Sequence, residues 1–382
     1  MSLVCFHSFC HTSVMADADD LRVPCRTALL NARLLLPVVC LAGVLSGTAC
    51  GAQDGPAQDE PIHTLHVYTN LMQIPTLVLA PNRERLEQPI AESRFSVSID
   101  SGPWFPATHV RREGDDPISL SILLEVNGHS SEWMPKIADA ISGLAPLSLQ
   151  ARDHVSIYVL DCSFRQILED APPVKEDLKR AVDSALQMWS DRRQKKPESD
   201  CKPSSRIWDA LTSIILDPVY HLPGRRVVLA ITDGNDKGST SSWEYVRVIA
   251  QSAGVAIFGL TYKQSGPRPL AQRYEDAFNQ VCQLSGGMVR MTDGIFLAPE
   301  LKRFTEMLRE RYVVEVPRPA HSTSGEHGFA VKVAKGDDYF IRPTGITVPL
   351  PDVAVLADPT TVPSDPSLTP EMGTRAPMKK PQ

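Results

Sequence analysis

The sequence has no cysteines at zinc-binding spacing, no glycine-rich phosphate loop, no arginine-rich stretch, and no apolar run that spans a bilayer comfortably. Each absence closes off a class of function. Five of the eight cysteines lie at or before Cys50, leaving Cys162, Cys201 and Cys282. Three thiols make no disulfide framework, so they form one disulfide or stay as buried thiols. Ser285–Gly287 follows a helical pattern and reads as a helix stop rather than an anion cradle. A formal net charge of -6, with no basic stretch interleaved with aromatics, supplies no electrostatic reason to bind nucleic acid. His154, His221, His321 and His327 are scattered without a partner at catalytic spacing, which argues against a general base and against an enzyme.

What is present begins with an export signal. Arg22, Arg26 and Arg33 precede the apolar segment Leu34–Leu45, and small residues follow through Ala52. A charged region, a short apolar core and a small-residue zone define a secretory signal. Residues 1–52 are read as this signal, with Met15 as an alternative start. Cleavage falls after Ala52, or before Cys50 if that cysteine carries lipid. An uncleaved segment would anchor the chain instead. In each case the rest of the chain is expected outside the cytoplasmic membrane, in the periplasm, cell envelope or medium.

Residues 53–61 form a polar linker. Residues 62–114 are β-rich, with strand candidates at Leu65–Thr69, Pro75–Leu79 and Phe95–Asp100, the last alternating with a period of two. Over 115–311 strands and helices alternate. Strands are expected at Ser119–Glu125, His154–Leu160, Phe164–Leu168, Arg226–Thr232, Val255–Thr261 and Gly287–Met291. Helices fit Met134–Leu144, Leu178–Trp189, Ile207–Ile215, Trp243–Ala253, Ala271–Leu284 and Pro299–Glu310. Continuous apolar runs at 118–124 and 227–231 suit strands covered on both faces. The short link at Asp161 makes the second and third strands a hairpin. The fold class is therefore α/β: a doubly wound, mostly parallel sheet with one antiparallel edge strand. Residues 312–349 return to β, with Arg311–Val316, Phe329–Val333 and Tyr339–Arg342 expected to pair with the earlier flank in one small sheet. The tail, 350–382, is rich in proline and acidic residues and is expected to be disordered.

Ligands of such sheets sit beyond the carboxyl ends of the strands. Three loops converge there: 125–131, 204–206 and the turn at Asp233–Gly234. The element order, together with Ile231–Gly234, resembles a von Willebrand factor A domain. The flanking stretches Arg111–Leu120 and Arg311–Val316 resemble those of related acidobacterial proteins, and the resemblance spans roughly 62–350. It implies a metal site built from an Asp-x-Ser-x-Ser loop, a threonine and a second aspartate. At those positions stand Glu125, Asn127, His129, Ser205 and Asp233. Only Asp233 is unchanged, and Ser205 keeps a hydroxyl. Glu125 is one methylene too long, and His129 brings nitrogen to a site where magnesium wants hard oxygen in a tight octahedron. Normal magnesium binding is not expected; manganese or zinc suits a carboxylate–histidine set better.

The resemblance implies a non-enzymatic adhesion or interaction module with a protein partner. Asn235, Trp243 and Tyr245 are the candidate contacts on the third loop, although Trp243 at a helix start also suits inward packing. A second reading makes the domain a scaffold whose flanking β element or tail does the binding. A nucleotide-binding enzyme is disfavoured because no glycine fingerprint follows the first strand.

Overall fold

The computed structural model describes residues 71–126, 134–145, 148–161, 163–195, 205–217, 225–262, 276–292, 295–320, 325–336, 338–345, 347–348, 357 and 365–374. All belong to one compact unit, His63–Gln382. The expected signal, linker and first flanking strand at 65–69 lie outside the described residues.

The main sheet contains β1 (Ile118–Glu125), β2 (His154–Leu160), β3 (Phe164–Ala171), β4 (Arg225–Thr232), β5 (Ala256–Tyr262) and β6 (Val289–Thr292), in the order β6-β5-β4-β1-β2-β3. All neighbours are parallel except β2 and β3, the hairpin at the edge. β1 is buried at every residue. Its alternation splits between two layers: Ile118, Leu120, Ile122 and Leu124 face one, Leu123 the other. The first layer is covered by α1 (Met134–Ser142), α2 (Lys175–Lys195) and, later in the chain, α6 (Leu297–Arg309). The second is covered by α3 (Ile207–Leu216), α4 (Trp243–Ser252) and α5 (Ala277–Leu284). Helices on both faces are what let the parallel strands be apolar throughout.

Local chemistry sets the element ends. Ser242 caps α4 by accepting from the Tyr245 N–H, and Asp276 caps α5 by accepting from the Phe278 N–H at 3.1 Å. α6 begins two residues ahead of Pro299, which the first turn tolerates because the missing N–H would be unpaired there anyway. The helix stop after α5 is as expected. Gly286 takes φ +100°, and the Gly287 N–H reaches back to the Cys282 carbonyl at 2.8 Å.

The flanks differ from expectation in making two main sheets, not one. Leu71–Leu79 is longer than the expected strand and sits centrally, pairing with Tyr312–Pro317 on one side and Phe340–Pro343 on the other; His109–Arg112 closes that four-stranded sheet. Phe95–Ile99 pairs instead with Phe329–Val333 and Phe105–Pro106. Both sheets turn apolar residues, such as Ile74, Val314, Phe95 and Val97, into one shared core. That core is the physical reason for two layers: a single sheet would leave one apolar face in water. Another antiparallel pair, Gly325–Glu326 with Thr347–Val348, lies in the second flank.

The tail also departs from the expected disorder over residues 365–374. Pro366–Leu368 forms a 3-10 turn, Met372 bridges Ile99 in parallel and packs on the flanking core, and the Gly373 N–H donates to the Ile99 carbonyl at 3.0 Å. Gly102 permits this close approach, since a Cβ there would stand 2.6 Å from the Glu371 carbonyl oxygen. A partly buried methionine and an unused strand end outweigh the local composition.

Beneath the main sheet, away from the strands' carboxyl ends, an ionic cluster ties the flanks to it. The Arg311 guanidinium donates to both Glu113 oxygens at 2.6 and 2.9 Å. Arg225, opening β4, reaches Glu113 at 2.6 Å and Asp116 at 2.7 Å. Among the described residues no helix is long and apolar enough to cross a membrane.

Candidate functional site

β1 and β4 are adjacent, yet the chain leaves β1 toward β2 on one side and reaches β4 on the other. This is the switch point of the sheet, where the crevice between diverging loops opens. The register pairs Leu124 with Ile231, so Glu125 and Thr232, one residue further on each strand, stand side by side at the upper end. Because Leu124 and Ile231 face the first layer, alternation turns Glu125 and Thr232 toward the loop that enters α3.

There the side chains close on one another. The Ser205 hydroxyl donates to Glu125 Oε1 at 2.5 Å. The Thr232 hydroxyl and the Asp233 N–H donate to Oε2 at 2.5 and 3.1 Å. Asp233 Oδ1 in turn accepts from the Asn235 N–H at 2.8 Å, folding the turn in which Gly234 takes φ +78°. Glu125 is 7% exposed. Burial, and then the neighbouring Asp233 carboxylate, push its pKa above the ordinary glutamate range, against the pull of the three donors. The extra methylene of Glu125 thus gives a carboxylate that spans from its own strand to the next.

The third loop is tied to the start of α3. Asp209 accepts from the Thr240 and Ser241 N–H groups at 3.0 and 2.8 Å. Burial raises the Asp209 pKa, but these hydrogen bonds outweigh it and leave the carboxyl below its usual range. Asp236 accepts from the Trp208 N–H at 3.3 Å and from the Ser239 hydroxyl at 2.6 Å. On the other side, Asp161 accepts from Ser163 N–H as a turn former should, at 2.8 Å, and also pairs with Arg165 and Arg192 at 2.7 and 2.9 Å.

Of the candidate residues, Glu125, Ser205 and Asp233 come together as the sequence suggested. Asn127 and His129 lie outside the described residues. Asn235 is half-buried in the turn, Tyr245 is exposed on the first turn of α4, and Trp243 packs partly buried on the second-layer core. Sequence reasoning placed Thr232 and Asp236 at this strand end without assigning them a role, and it missed Asp209. Thr232 was visible as the last residue of an apolar run. The ties of the two aspartates across the site carried no local signal, because those partners are 28 to 32 residues away, although Asp236 also accepts from Ser239 three residues on. Among the described residues no group of three or more His, Cys, Asp or Glu converges as a metal site.

No family model and no curated protein sequence matches the chain. Solved structures do. Proximal thread matrix protein 1 from the mussel byssus aligns with a TM-score of 0.40 and 15% identity over 55% of this chain. The von Willebrand factor type A protein of Catenulispora acidiphila aligns at 0.38 and 10% identity over 63%. In both cases this chain spans 50% of the other protein. BatB of Bacteroides thetaiotaomicron aligns at 0.36 and 14% identity, over 50% of this chain and 98% of that one. The six-stranded sheet with its one reversed edge strand is the architecture expected from the sequence. The topology is that expected of a von Willebrand factor A-like fold. In this vWA-like domain the Glu125–Thr232 crevice occupies the upper face, with the flanking sheets joined to the chain below it.

Proposed function

We propose that the chain is an exported, non-enzymatic interaction module that holds a protein partner with the upper loops of its vWA-like domain, without magnesium of normal affinity. The observation that carries this is the inward closure of Glu125 on Ser205, Thr232 and Asp233. A cation ligand must be ionised and must present oxygen outward. Glu125 instead spends both oxygens on internal donors and resists ionisation, so the group present fits a hard cation poorly. Partner contact then depends on loop shape, with Tyr245 and the 235–242 loop as the accessible surface. The anchoring of that loop through Asp209 and Asp236 keeps it ordered without metal, which favours binding by lowering the ordering cost.

Two experiments test the reading. A thermal-shift screen of the purified chain against magnesium, manganese, zinc and chelator should leave the melting temperature unmoved. A cation between Glu125 and Asp233 would relieve their repulsion, so a shift that vanishes in Asp233→Ala refutes the metal-free part. Photo-crosslinkers placed singly at Tyr245, at Leu284 on the opposite end and at Trp104 on the flank, in the producing cell, test the face. Adducts from position 245 are expected.

The scaffold reading has one observation of its own: the flanking sheets carry a separate core and a seated tail segment. Adducts from position 104 with none from 245 would decide for it.

A further inference from the structure

A cleft of about 350 Å³ opens where the 80–86 loop meets the last two turns of α6 and the edge strand β6. Its size is at the lower end of small-molecule sites, roughly 300–1,000 Å³. α6 starts at the upper end of the domain and runs down, so this cleft is separate from the Glu125 crevice. Its floor is apolar, formed by Leu77, Leu79, Met307 and Tyr312, all buried.

Its rim is charged, and unevenly. Arg83, Arg85, Arg112, Arg290 and Arg303 face Glu84, Glu306 and Glu310, with Glu300 behind Arg290, a surplus of one positive charge on a chain whose formal charge is -6. Two of these pairs are tight: Arg290 with Glu300 at 2.5 Å and Arg85 with Glu310 at 2.5 Å. The others are not. Glu84 stands 3.6 Å from both Arg290 and Arg303, too far for a hydrogen bond to either, and Arg303 also reaches Glu300 only at 3.5 Å. Among the described residues no carboxylate pairs with Arg112. Beside the cleft, Arg83 and Arg342 stack on the same Phe340 ring, at 5.1 and 4.3 Å, bringing two like charges together. Burial and then Arg83 lower the Arg342 pKa from its ordinary range.

We propose that this cleft is a binding site for a small amphipathic carboxylate. The apolar body lies on Leu77, Leu79, Met307 and Tyr312, and the carboxylate approaches Arg303, which Glu84 and Glu300 hold only at 3.6 and 3.5 Å, with Arg290 kept by Glu300. Guanidinium groups suit this role because their fork matches both carboxylate oxygens. An alkylammonium of equal length meets the same floor but a repelling rim.

Decanoate, below its micellar concentration, is the probe, titrated calorimetrically into the full chain with decyltrimethylammonium and acetate as controls. Saturable one-to-one binding of decanoate alone is expected. Arg303→Ala with Arg112→Ala should weaken it by about tenfold or more, the loss of a charge-assisted contact. Glu84→Gln should tighten it by about threefold, since it removes the competing carboxylate. These opposite signs separate ligand recognition from general damage to the fold. Equal binding of the ammonium probe, no saturable binding of decanoate, or affinity unchanged in the arginine variant would each overturn the proposal.

Discussion

Glu113→Gln should be among the most damaging conservative substitutions in the protein. Glu113 follows the flanking strand His109–Arg112, Arg311 precedes the strand Tyr312–Pro317, and Arg225 opens β4. One carboxylate therefore holds three distant stretches of chain. The side chains of Glu113 and Arg311 are each 1% exposed, so neither charge is screened by water. An amide at position 113 would set its NH2 against a guanidinium donor and remove the charge facing Arg311. Arg225 would keep Asp116, but Arg311 would keep no carboxylate among the described residues. Breaking one side of a buried pair costs about 3–5 kcal/mol. The exposed pair of Lys179 and Asp139, although only 2.6 Å apart, provides the control: Asp139→Asn should leave the urea midpoint nearly unmoved, because water screens that pair. The assay is urea unfolding of the full chain, read as a midpoint shift at unchanged slope. Amide exchange in strands 109–112 and 312–317 should also accelerate, because the cluster fastens them. If Glu113→Gln stays within about 1 kcal/mol of the parent, or matches Asp139→Asn, the assignment of the cluster as a clamp is wrong.

Three further outcomes follow from the geometry. Glu125 has a raised pKa, so the folded state keeps its proton above the unfolded value near 4.5; stability should fall as pH rises from there through the folded pKa, and then level off. Urea midpoints from pH 4 to 8 should show this slope in the parent and not in Glu125→Gln; equal slopes would refute it. Asp209→Ala frees the Thr240 and Ser241 N–H groups on a partly exposed loop, costing about 1–2 kcal/mol, with faster amide exchange at 236–242 and little change within α3. Gly286→Ala would place a Cβ 2.1 Å from Thr344 Oγ1 at φ +100°, so a loss of about 2–4 kcal/mol in urea unfolding is expected, against a smaller loss of about 1 kcal/mol at Gly254→Ser, where nothing lies within 4 Å and only the left-handed backbone at φ +64° is strained.

Much of the main domain was legible in the sequence because its signals are local. The runs at 118–124 and 227–231 are apolar without alternation, which only a doubly covered strand tolerates, and the heptad-like spacing of Leu178, Val182 and Ala185 marks the face that α2 buries. The link at Asp161 is too short for a crossover and so dictated the antiparallel edge. The flanks were harder. Their strands have similar composition, and nothing local says that Leu71–Leu79 pairs with Tyr312–Pro317 while Phe95–Ile99 pairs with Phe329–Val333. That partition follows from filling one core from two faces, a property of the whole unit.

The same division holds at the upper crevice. Residue type alone placed a glutamate at position 125, a hydroxyl at position 205 and an aspartate at position 233. Tertiary structure decided where that glutamate goes. The parallel register brings Thr232 beside Glu125, and the loop before α3 brings Ser205 over it from 80 residues away. Hydrogen bonds form where folding places donors, and no sequence window contains all three that close on Glu125.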